Sequence, residues 1–171
     1  FTYLGEKSLD QRTRYRVPGA LARGLLEGLM DEGFDPAWSR KTREEFGLGH
    51  AFGRALKFLM PDGRFPIVPI MINTYYPPAP SAKRCLALGE AIRRVVEGIG
   101  NSARVVVLAS GGLSHTVIDE AYDEAFMAAL GRNDRGYFAV MKSDDPVEGT
   151  SDILDWVVAA LGTLAAGGVL V

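Results

Sequence analysis

Two almost uninterrupted apolar runs, residues 65–72 and 104–109, constrain the fold of this chain more than any other feature of its sequence. A strand buried on both faces of a parallel sheet carries apolar side chains almost continuously, whereas a half-exposed strand alternates. Around these runs, apolar residues recur at helical spacing. The sequence therefore predicts an α/β fold with a largely parallel or mixed central sheet that is covered by helices on both faces.

Five segments show the spacing or the capping signals of helices. They are residues 21–30, 51–60 and 119–130, a helix that starts after Ser81, and a last helix capped by Thr150 or Ser151. No linker, internal repeat or low-complexity segment interrupts them, so residues 1–171 are predicted to form a single domain. The chain starts at Phe1 without Met, and we expect an N-terminal segment of the domain to be missing from it.

Charge and hydropathy exclude several classes of partner. A net charge of −2 gives no electrostatic reason to expect nucleic acid or an anionic membrane. No apolar run reaches the ~18 residues that a membrane span needs, and residues 1–10 do not show the basic-then-apolar order of a secretory signal. A single cysteine, Cys85, excludes an internal disulfide and favours the cytoplasm. Its place on the apolar face of a helix predicts a buried, inert thiol.

The chain has two histidines, and both follow glycine-rich turns. His115 ends a run in which residues 105–109 are followed by Ser-Gly-Gly-Leu-Ser-His. Ligands commonly bind where a buried parallel strand ends, and glycines let the backbone approach them closely. A histidine there offers a group that titrates near neutrality. The alternative interpretation is a turn histidine that is bonded to a backbone carbonyl.

The other polar candidates are less specific. His50 stands between glycines and Phe52, which fits an aromatic-lined pocket or a core histidine equally well. Asp152 falls in the predicted first turn of a helix, where the helix dipole alone can explain a carboxylate. Ser114 and His115 are adjacent in sequence, so their side chains point apart and do not form a nucleophile–base pair.

Four segments in this order resemble LigB-type (class III) extradiol ring-cleavage dioxygenases. They are Phe-Pro-Ile-Val-Pro-Ile at residues 65–70, Asn-Thr-Tyr-Tyr-Pro-Pro at residues 73–78, Arg-Cys-Leu-Ala-Leu-Gly at residues 84–89, and Ala-Ser-Gly-Gly-Leu-Ser-His at residues 109–115. The resemblance extends from about Tyr15 to Leu161. It implies a non-haem Fe(II) enzyme that opens a catechol-type aromatic ring with O₂.

The resemblance also implies roles for particular residues. His115 would be the catalytic acid/base, and His50 would lie near the substrate and oxygen. Asp152 takes the position of the family's glutamate iron ligand, and the two histidine ligands are expected outside this sequence. Phe52, Tyr75, Tyr76 and Ser114 are predicted to line the substrate pocket.

The implied partners are a small aromatic diol, O₂, and further subunits. We expect a homo-oligomer or a hetero-oligomer with a small subunit, since the chain ends on the apolar residues 167–171. Two other functions compete with the dioxygenase. One is a degenerate, metal-free relative that serves as a subunit or binding module, and the other is an unrelated metal hydrolase that uses His50, His115 and Asp152.

Overall fold

Helices dominate the computed structural model, which describes residues 2–4, 12–41, 47–74, 76, 78–99, 104–115, 117–141 and 153–165. In chain order the elements are strands β1 (Thr2–Leu4) and β2 (Arg12–Arg14) and helices α1 (Gly19–Asp31), α2 (His50–Leu59), α3 (Ala82–Gly98), α4 (Glu120–Gly131), α5 (Arg135–Val140) and α6 (Ile153–Ala165). The chain divides into two compact units, Phe1–Ile70 and Met71–Val171. Within the described residues, no helix combines the length and apolarity that a bilayer crossing requires.

The first unit contains the two strands, which form a short antiparallel ribbon. Thr2 pairs with Arg14, and Leu4 pairs with Arg12. An isolated two-stranded ribbon is marginally stable in water at best, so it depends on packing against other residues. That packing starts at Tyr15, which directly follows β2 and is only 2% exposed.

A small apolar core in this unit includes Tyr15, Leu48, Leu56 and Met60, with Phe52 and Ile67 packed against it. The Tyr15 hydroxyl donates a 3.3 Å hydrogen bond to the carbonyl oxygen of Met60. A buried phenol hydroxyl needs such a partner, because burial removes its hydrogen bonds to water. The core therefore fixes the end of α2 against the segment that follows β2.

The turn after α2 requires glycine at position 63. Gly63 has a φ of +64°, in the left-handed region that favours glycine. A Cβ at this position would also lie 2.7 Å from the carbonyl oxygen of Arg14. In the same turn, the carbonyl of Pro61 accepts a 3.0 Å hydrogen bond from the Thr13 hydroxyl. The turn thus packs directly on the backbone of β2.

The second unit is built on the contact between α3 and α6. Ser81 caps α3, and its hydroxyl accepts a hydrogen bond from the backbone N–H of Arg84. Ile153 and Val157 of α6 are completely buried. Because Gly89 has no side chain, the backbones of α3 and α6 approach closely there. This helix pair contributes most of the buried aliphatic residues that the structure describes in the second unit.

Helix α5 contacts both α3 and α4. Phe126 of α4 and Phe138 of α5 are completely buried, and their rings meet edge to face with centroids 5.6 Å apart. Arg135 of α5 forms an ion pair with Glu90 of α3. The sequence pattern does not predict α5, which is only six residues long and begins after the N-cap Asp134.

The prediction of a central sheet covered by helices is wrong for the described residues. Their only sheet is the β1–β2 ribbon, and the predicted strands 65–72 and 104–109 belong to no sheet. An apolar run becomes a buried strand only where neighbouring strands pair with its backbone and other elements cover its side chains. These runs lack that cover, since Met71 is 83% exposed and Val106 is 75% exposed.

The helix predictions are confirmed in the described residues. Helices α1, α2 and α4 begin and end within two residues of the predicted bounds, and Ser81 is the N-cap of α3 as predicted. Helix α6 is described from Ile153 onwards. The predicted caps Thr150 and Ser151 lie outside the described residues.

Candidate active site

His115 lies at the end of an irregular stretch, residues 104–115, that precedes α4. His115 is exposed, whereas Leu113 and Ser114 are half-buried. Gly111 has a φ of +147°, which side chains of other residues rarely permit, so the turn needs glycine there. His115 is therefore accessible to solvent, whereas the two residues before it are packed partly against the rest of the unit.

Asp123, in the first turn of α4, binds Ser114 through both carboxylate oxygens. The backbone N–H of Ser114 donates to Asp123 Oδ1 over 2.8 Å. The Ser114 hydroxyl donates to Asp123 Oδ2 over 2.6 Å. Hydrogen bonds to a carboxylate are roughly twice as strong as bonds between neutral groups. The residue that precedes His115 is thus held to α4 at two atoms.

Asp119 adds a third connection. Its backbone N–H donates to Ser114 Oγ over 3.1 Å, so this hydroxyl both donates and accepts. Asp119 is also the N-cap of α4, and its side chain accepts a 3.0 Å hydrogen bond from the backbone N–H of Tyr122. Ser114, Asp119 and Asp123 together form what we call the Ser114 network. It joins the glycine-rich turn to the start of α4.

The sequence pattern does not single out Asp119 or Asp123 as site residues. A signal is nevertheless present, because an aspartate just before a helical run is a common N-cap and Asp123 lies one turn further along. Periodicity cannot show that the preceding turn folds back onto that cap. The Ser114 hydroxyl donates to Asp123, which agrees with the absence of a Ser–His nucleophile pair.

The loop of tyrosines and prolines is organised by Asn73. Its side-chain nitrogen donates to the carbonyl oxygens of Tyr76, over 2.6 Å, and of Pro78, over 3.3 Å. Its side-chain oxygen accepts a 3.2 Å hydrogen bond from the backbone N–H of Tyr76. Tyr76 is 72% exposed. Asn73 therefore holds the backbone of Tyr76 and Pro78, and the Tyr76 side chain is exposed to solvent.

His50 and Phe52 lie on α2, in the first unit. His50 is the first residue of the helix and is exposed, so it is not a core histidine. Phe52 is half-buried and packs against the core around Tyr15. Ser114 and His115 lie in the second unit. The structure thus brings Ser114 and His115 together with two aspartates, and the catalytic role of His50 stays a prediction.

Two of the predicted site residues, Tyr75 and Asp152, lie outside the described residues. Among the residues that are described, no three His, Cys, Asp or Glu side chains group closely enough to hold a metal ion. A stable metal site needs its full set of ligands. The described part of the chain therefore does not form a metal site by itself.

Cys85 is confirmed as a buried thiol on α3 and is 1% exposed. Burial, together with the negative charge of Asp155, raises the pKa of the Cys85 thiol from 9.0 to about 12. The thiolate is the reactive form of cysteine, and this environment suppresses it. Cys85 is therefore part of the core of the second unit and not a nucleophile.

Comparison with curated proteins finds relatives that cover part of this chain. A gallate dioxygenase of Pseudomonas putida is 36% identical over 104 residues, which are 59% of this chain and 29% of that protein. A 2,3-dihydroxyphenylpropionate/2,3-dihydroxicinnamic acid 1,2-dioxygenase of Azotobacter vinelandii is 35% identical over 99 residues, 58% of this chain and 30% of that protein. The chain thus spans about three tenths of the length of these relatives.

A comparison with protein families covers nearly the whole chain. The model of the catalytic LigB subunit of aromatic ring-opening dioxygenase matches residues 4–167. That range contains the glycine-rich turn, His115 and the Ser114 network. The match agrees with the resemblance carried by the four sequence segments, and this chain belongs to the family of catalytic LigB subunits of aromatic ring-opening dioxygenases.

Proposed function

We propose that the protein is a non-haem Fe(II)-dependent extradiol dioxygenase that opens a catechol-type aromatic ring with O₂. Family membership supports the reaction class. The structural observation that carries the proposal is the position of His115, an exposed histidine that directly follows a residue anchored to α4. A general acid/base has to be accessible to substrate and still be held in place, and this arrangement meets both needs.

His115 is proposed to move the protons of the reaction. Its imidazole would accept a proton from one hydroxyl of the diol and return a proton later, when the oxygen–oxygen bond breaks. Histidine suits both steps, because one ring nitrogen can accept a proton and the other can stay hydrogen-bonded. Proton transfer by a positioned side chain contributes about 10²- to 10⁴-fold to rates.

The proposal needs ligands beyond the described residues, which do not fit a metal ion by themselves. Asp152 is proposed as the carboxylate ligand, and the two histidine ligands are proposed to lie outside this sequence. Two histidines and one carboxylate are the usual ligand set of non-haem Fe(II) oxygenases, and they leave coordination positions open. Iron held in this way would supply binding positions for the diol and for O₂.

The substrate is proposed to be a small aromatic diol. One of the relatives is named for gallate and another for a 2,3-dihydroxyphenyl acid, whose name places two hydroxyls on adjacent ring carbons. Tyr75 and Tyr76 are proposed to line the pocket for the ring, and the contribution of Phe52 stays a prediction from the resemblance. Ser114 is proposed to contribute through its backbone and position, since its hydroxyl is occupied by Asp123 and Asp119.

The assembly and the compartment are also proposals. We expect the protein to act in the cytoplasm as a homo-oligomer, or as a catalytic subunit bound to a small second subunit. The family description as a catalytic subunit supports the second arrangement. Light scattering of the purified protein, alone and co-expressed with neighbouring reading frames, distinguishes the two.

One observation favours a second function, that of a metal-free family relative acting as a subunit. Asp152 stands where the family resemblance places a glutamate ligand, and Asp is one methylene shorter. Metal ligands must reach the ion within about 0.2 Å of the usual distances. In this alternative the Ser114 network only stabilises the start of α4.

Oxygen uptake and iron content separate the two functions. The full-length protein is purified without oxygen, loaded with Fe(II), and mixed with catechol, protocatechuate or gallate while dissolved O₂ and the ring absorbance are followed. The dioxygenase consumes one O₂ for each ring that is opened and retains about one iron per chain. Protein that retains no iron after loading and consumes no O₂ with any diol contradicts the proposal and supports the metal-free relative.

A further inference from the structure

We propose that Asp123 is the positioning residue of the active site: through Ser114 it fixes the backbone from which His115 projects. This inference rests on the proposed function of His115 as acid/base. It goes beyond that function because it assigns a role to a carboxylate on α4 that needs no contact with substrate or metal.

The geometry of the Ser114 network carries the inference. Asp123 uses separate oxygens for the N–H and the hydroxyl of Ser114, at 2.8 Å and 2.6 Å. Bonds to two atoms of one residue restrict rotation as well as distance, which a single bond does not. His115 is the next residue, so an error in the orientation of the Ser114 backbone moves the imidazole directly.

The surroundings of Ser114 show why such an anchor is needed. The stretch 104–115 belongs to no helix or sheet, so the regular backbone hydrogen bonds of those elements do not hold it in place. Gly111 and Gly112 permit many backbone conformations. Asp123 instead belongs to a twelve-residue helix whose Phe126 and Leu130 are buried. The network thus ties the glycine-rich turn to a helix that is itself fixed by its buried side chains.

Reaction rates depend steeply on this kind of positioning. A misplacement of about 1 Å at a catalytic group can cost about 10²-fold in rate. Loss of the anchor is therefore expected to lower kcat far more than it raises KM, because the diol binds through other groups. A merely structural role for Asp123 would instead lower the amount of folded protein without changing the kcat of the folded fraction.

The matched variants are Asp123→Ala, Asp123→Asn and Glu124→Ala in the full-length protein. Asp123→Asn keeps the size of the side chain and one carbonyl oxygen for the Ser114 N–H. Glu124 is the next residue of α4 and is exposed, so Glu124→Ala removes a carboxylate from the same turn without touching Ser114. Circular dichroism confirms that each variant is folded.

The first readout needs neither metal nor activity. Amide hydrogen exchange is measured at Ser114, and the imidazole signal of His115 is identified by its loss in His115→Gln. In Asp123→Ala we expect the Ser114 amide to exchange about tenfold faster or more, as loss of a charge-assisted hydrogen bond implies, and the His115 signal to shift. Asp123→Asn should be intermediate, and Glu124→Ala should match the wild type.

The second readout is the steady-state rate of ring opening against pH. We expect kcat to fall about 10²-fold in Asp123→Ala, with KM nearly unchanged and with partial recovery in Asp123→Asn. An unchanged Ser114 amide or an unchanged kcat in Asp123→Ala overturns the inference. If wild-type protein opens no diol while Asp123→Ala still releases the Ser114 amide, the proposed function fails and the anchoring of the turn is confirmed.

Discussion

Gly89 of α3 lies directly against the backbone of Val158 in α6, so closely that a Cβ on Gly89 would overlap the Val158 carbonyl oxygen. The obstacle is backbone and not the flexible end of a side chain, so it cannot move aside by changing rotamer. Substitution has to push the two helices apart, and these helices carry much of the buried surface described in the second unit.

Gly89→Ala is therefore expected to destabilise the protein by about 1–3 kcal/mol, as overpacking of a core does. Urea unfolding followed by circular dichroism measures the change. The control is Gly98→Ala in the same helix, where nothing lies within 4 Å of the added Cβ. That variant should be neutral or up to about 1 kcal/mol more stable, because alanine favours helix. Equal stability of the two variants would contradict the close approach of α3 and α6.

Gly63→Ala should destabilise the protein in two ways, through its left-handed backbone and through a steric clash, and Gly33→Ala isolates the first of them. Gly63 and Gly33 both have positive φ, at +64° and +78°, but only Gly63 faces the carbonyl of Arg14 at 2.7 Å. The left-handed conformation alone costs an alanine about 1–2 kcal/mol. We expect Gly33→Ala to lose about that amount and Gly63→Ala to lose clearly more in thermal or urea unfolding. The packing of the turn on β2 is wrong if both variants lose the same amount.

The Cys85 thiol should not react with thiol reagents in the folded protein. Its pKa is raised to about 12 by burial and by Asp155, so almost no thiolate forms at neutral pH. We expect no reaction with Ellman's reagent at about pH 8 until denaturant unfolds the second unit. In the unfolded chain the thiol has its ordinary pKa of 9.0, and enough thiolate forms to react. Rapid labelling of native protein would show that Cys85 is accessible.

The same pKa shift predicts a loss of stability in alkali. Below pH 9.0 the thiol is protonated in both folded and unfolded chains, and the stability associated with the neutral thiol is fully present. Above that value the unfolded chain releases its proton first, so stability falls as pH rises from 9.0 towards about 12. Between about pH 8 and about pH 10 we expect a loss on the order of 1 kcal/mol that Cys85→Ala does not show.

His115→Ala tests the proposed acid/base directly. We expect turnover in the iron-loaded, full-length enzyme to fall by about 10²- to 10⁴-fold, with iron content unchanged. Oxygen uptake and iron analysis on the same sample give both values. Loss of iron in this variant would make His115 a ligand instead of a proton carrier. Unchanged turnover would remove it from the mechanism.

Asn73→Ala tests the shape of the tyrosine–proline loop. The variant loses three side-chain hydrogen bonds to the backbone of Tyr76 and Pro78, each worth about 1 kcal/mol. We expect faster proteolysis within residues 73–80 and, if Tyr76 borders the substrate, a higher KM with a smaller change in kcat. Asn73→Asp keeps the acceptor for the Tyr76 N–H and should be intermediate. Unchanged proteolysis would show that the loop does not depend on Asn73.

Helices are predictable here because their signals are local. Ser81 caps α3, and the apolar positions of α1, α2 and α4 repeat at the helical period, so each element follows from its own residues. The predicted strands fail for the opposite reason. Residues 104–109 are apolar enough for a buried strand. A strand forms only where other strands pair with its backbone, and the sequence of the segment does not show whether such strands are present.

The site shows the same division. The glycine-rich turn and His115 can be picked out from the sequence, since residues 109–115, one of the segments that resemble the family, end at that histidine. Asp123 does not, because it contacts Ser114 only after the turn folds back onto α4, nine residues away along the chain. Asp152 and Tyr75 remain predictions, and both lie outside the described residues.

The edge-to-face contact between Phe126 and Phe138 and the ion pair between Arg135 and Glu90 connect α4 through α5 to α3. Asp123 stands on the same α4, less than one turn before Phe126. We therefore expect substitutions at Phe126 or Phe138 to tilt α4 and, through the bonds from Asp123 to Ser114, to shift the backbone of His115 without unfolding the protein. On the proposed function of His115, substitutions in this aromatic contact would lower the catalytic rate although neither ring belongs to the proposed site.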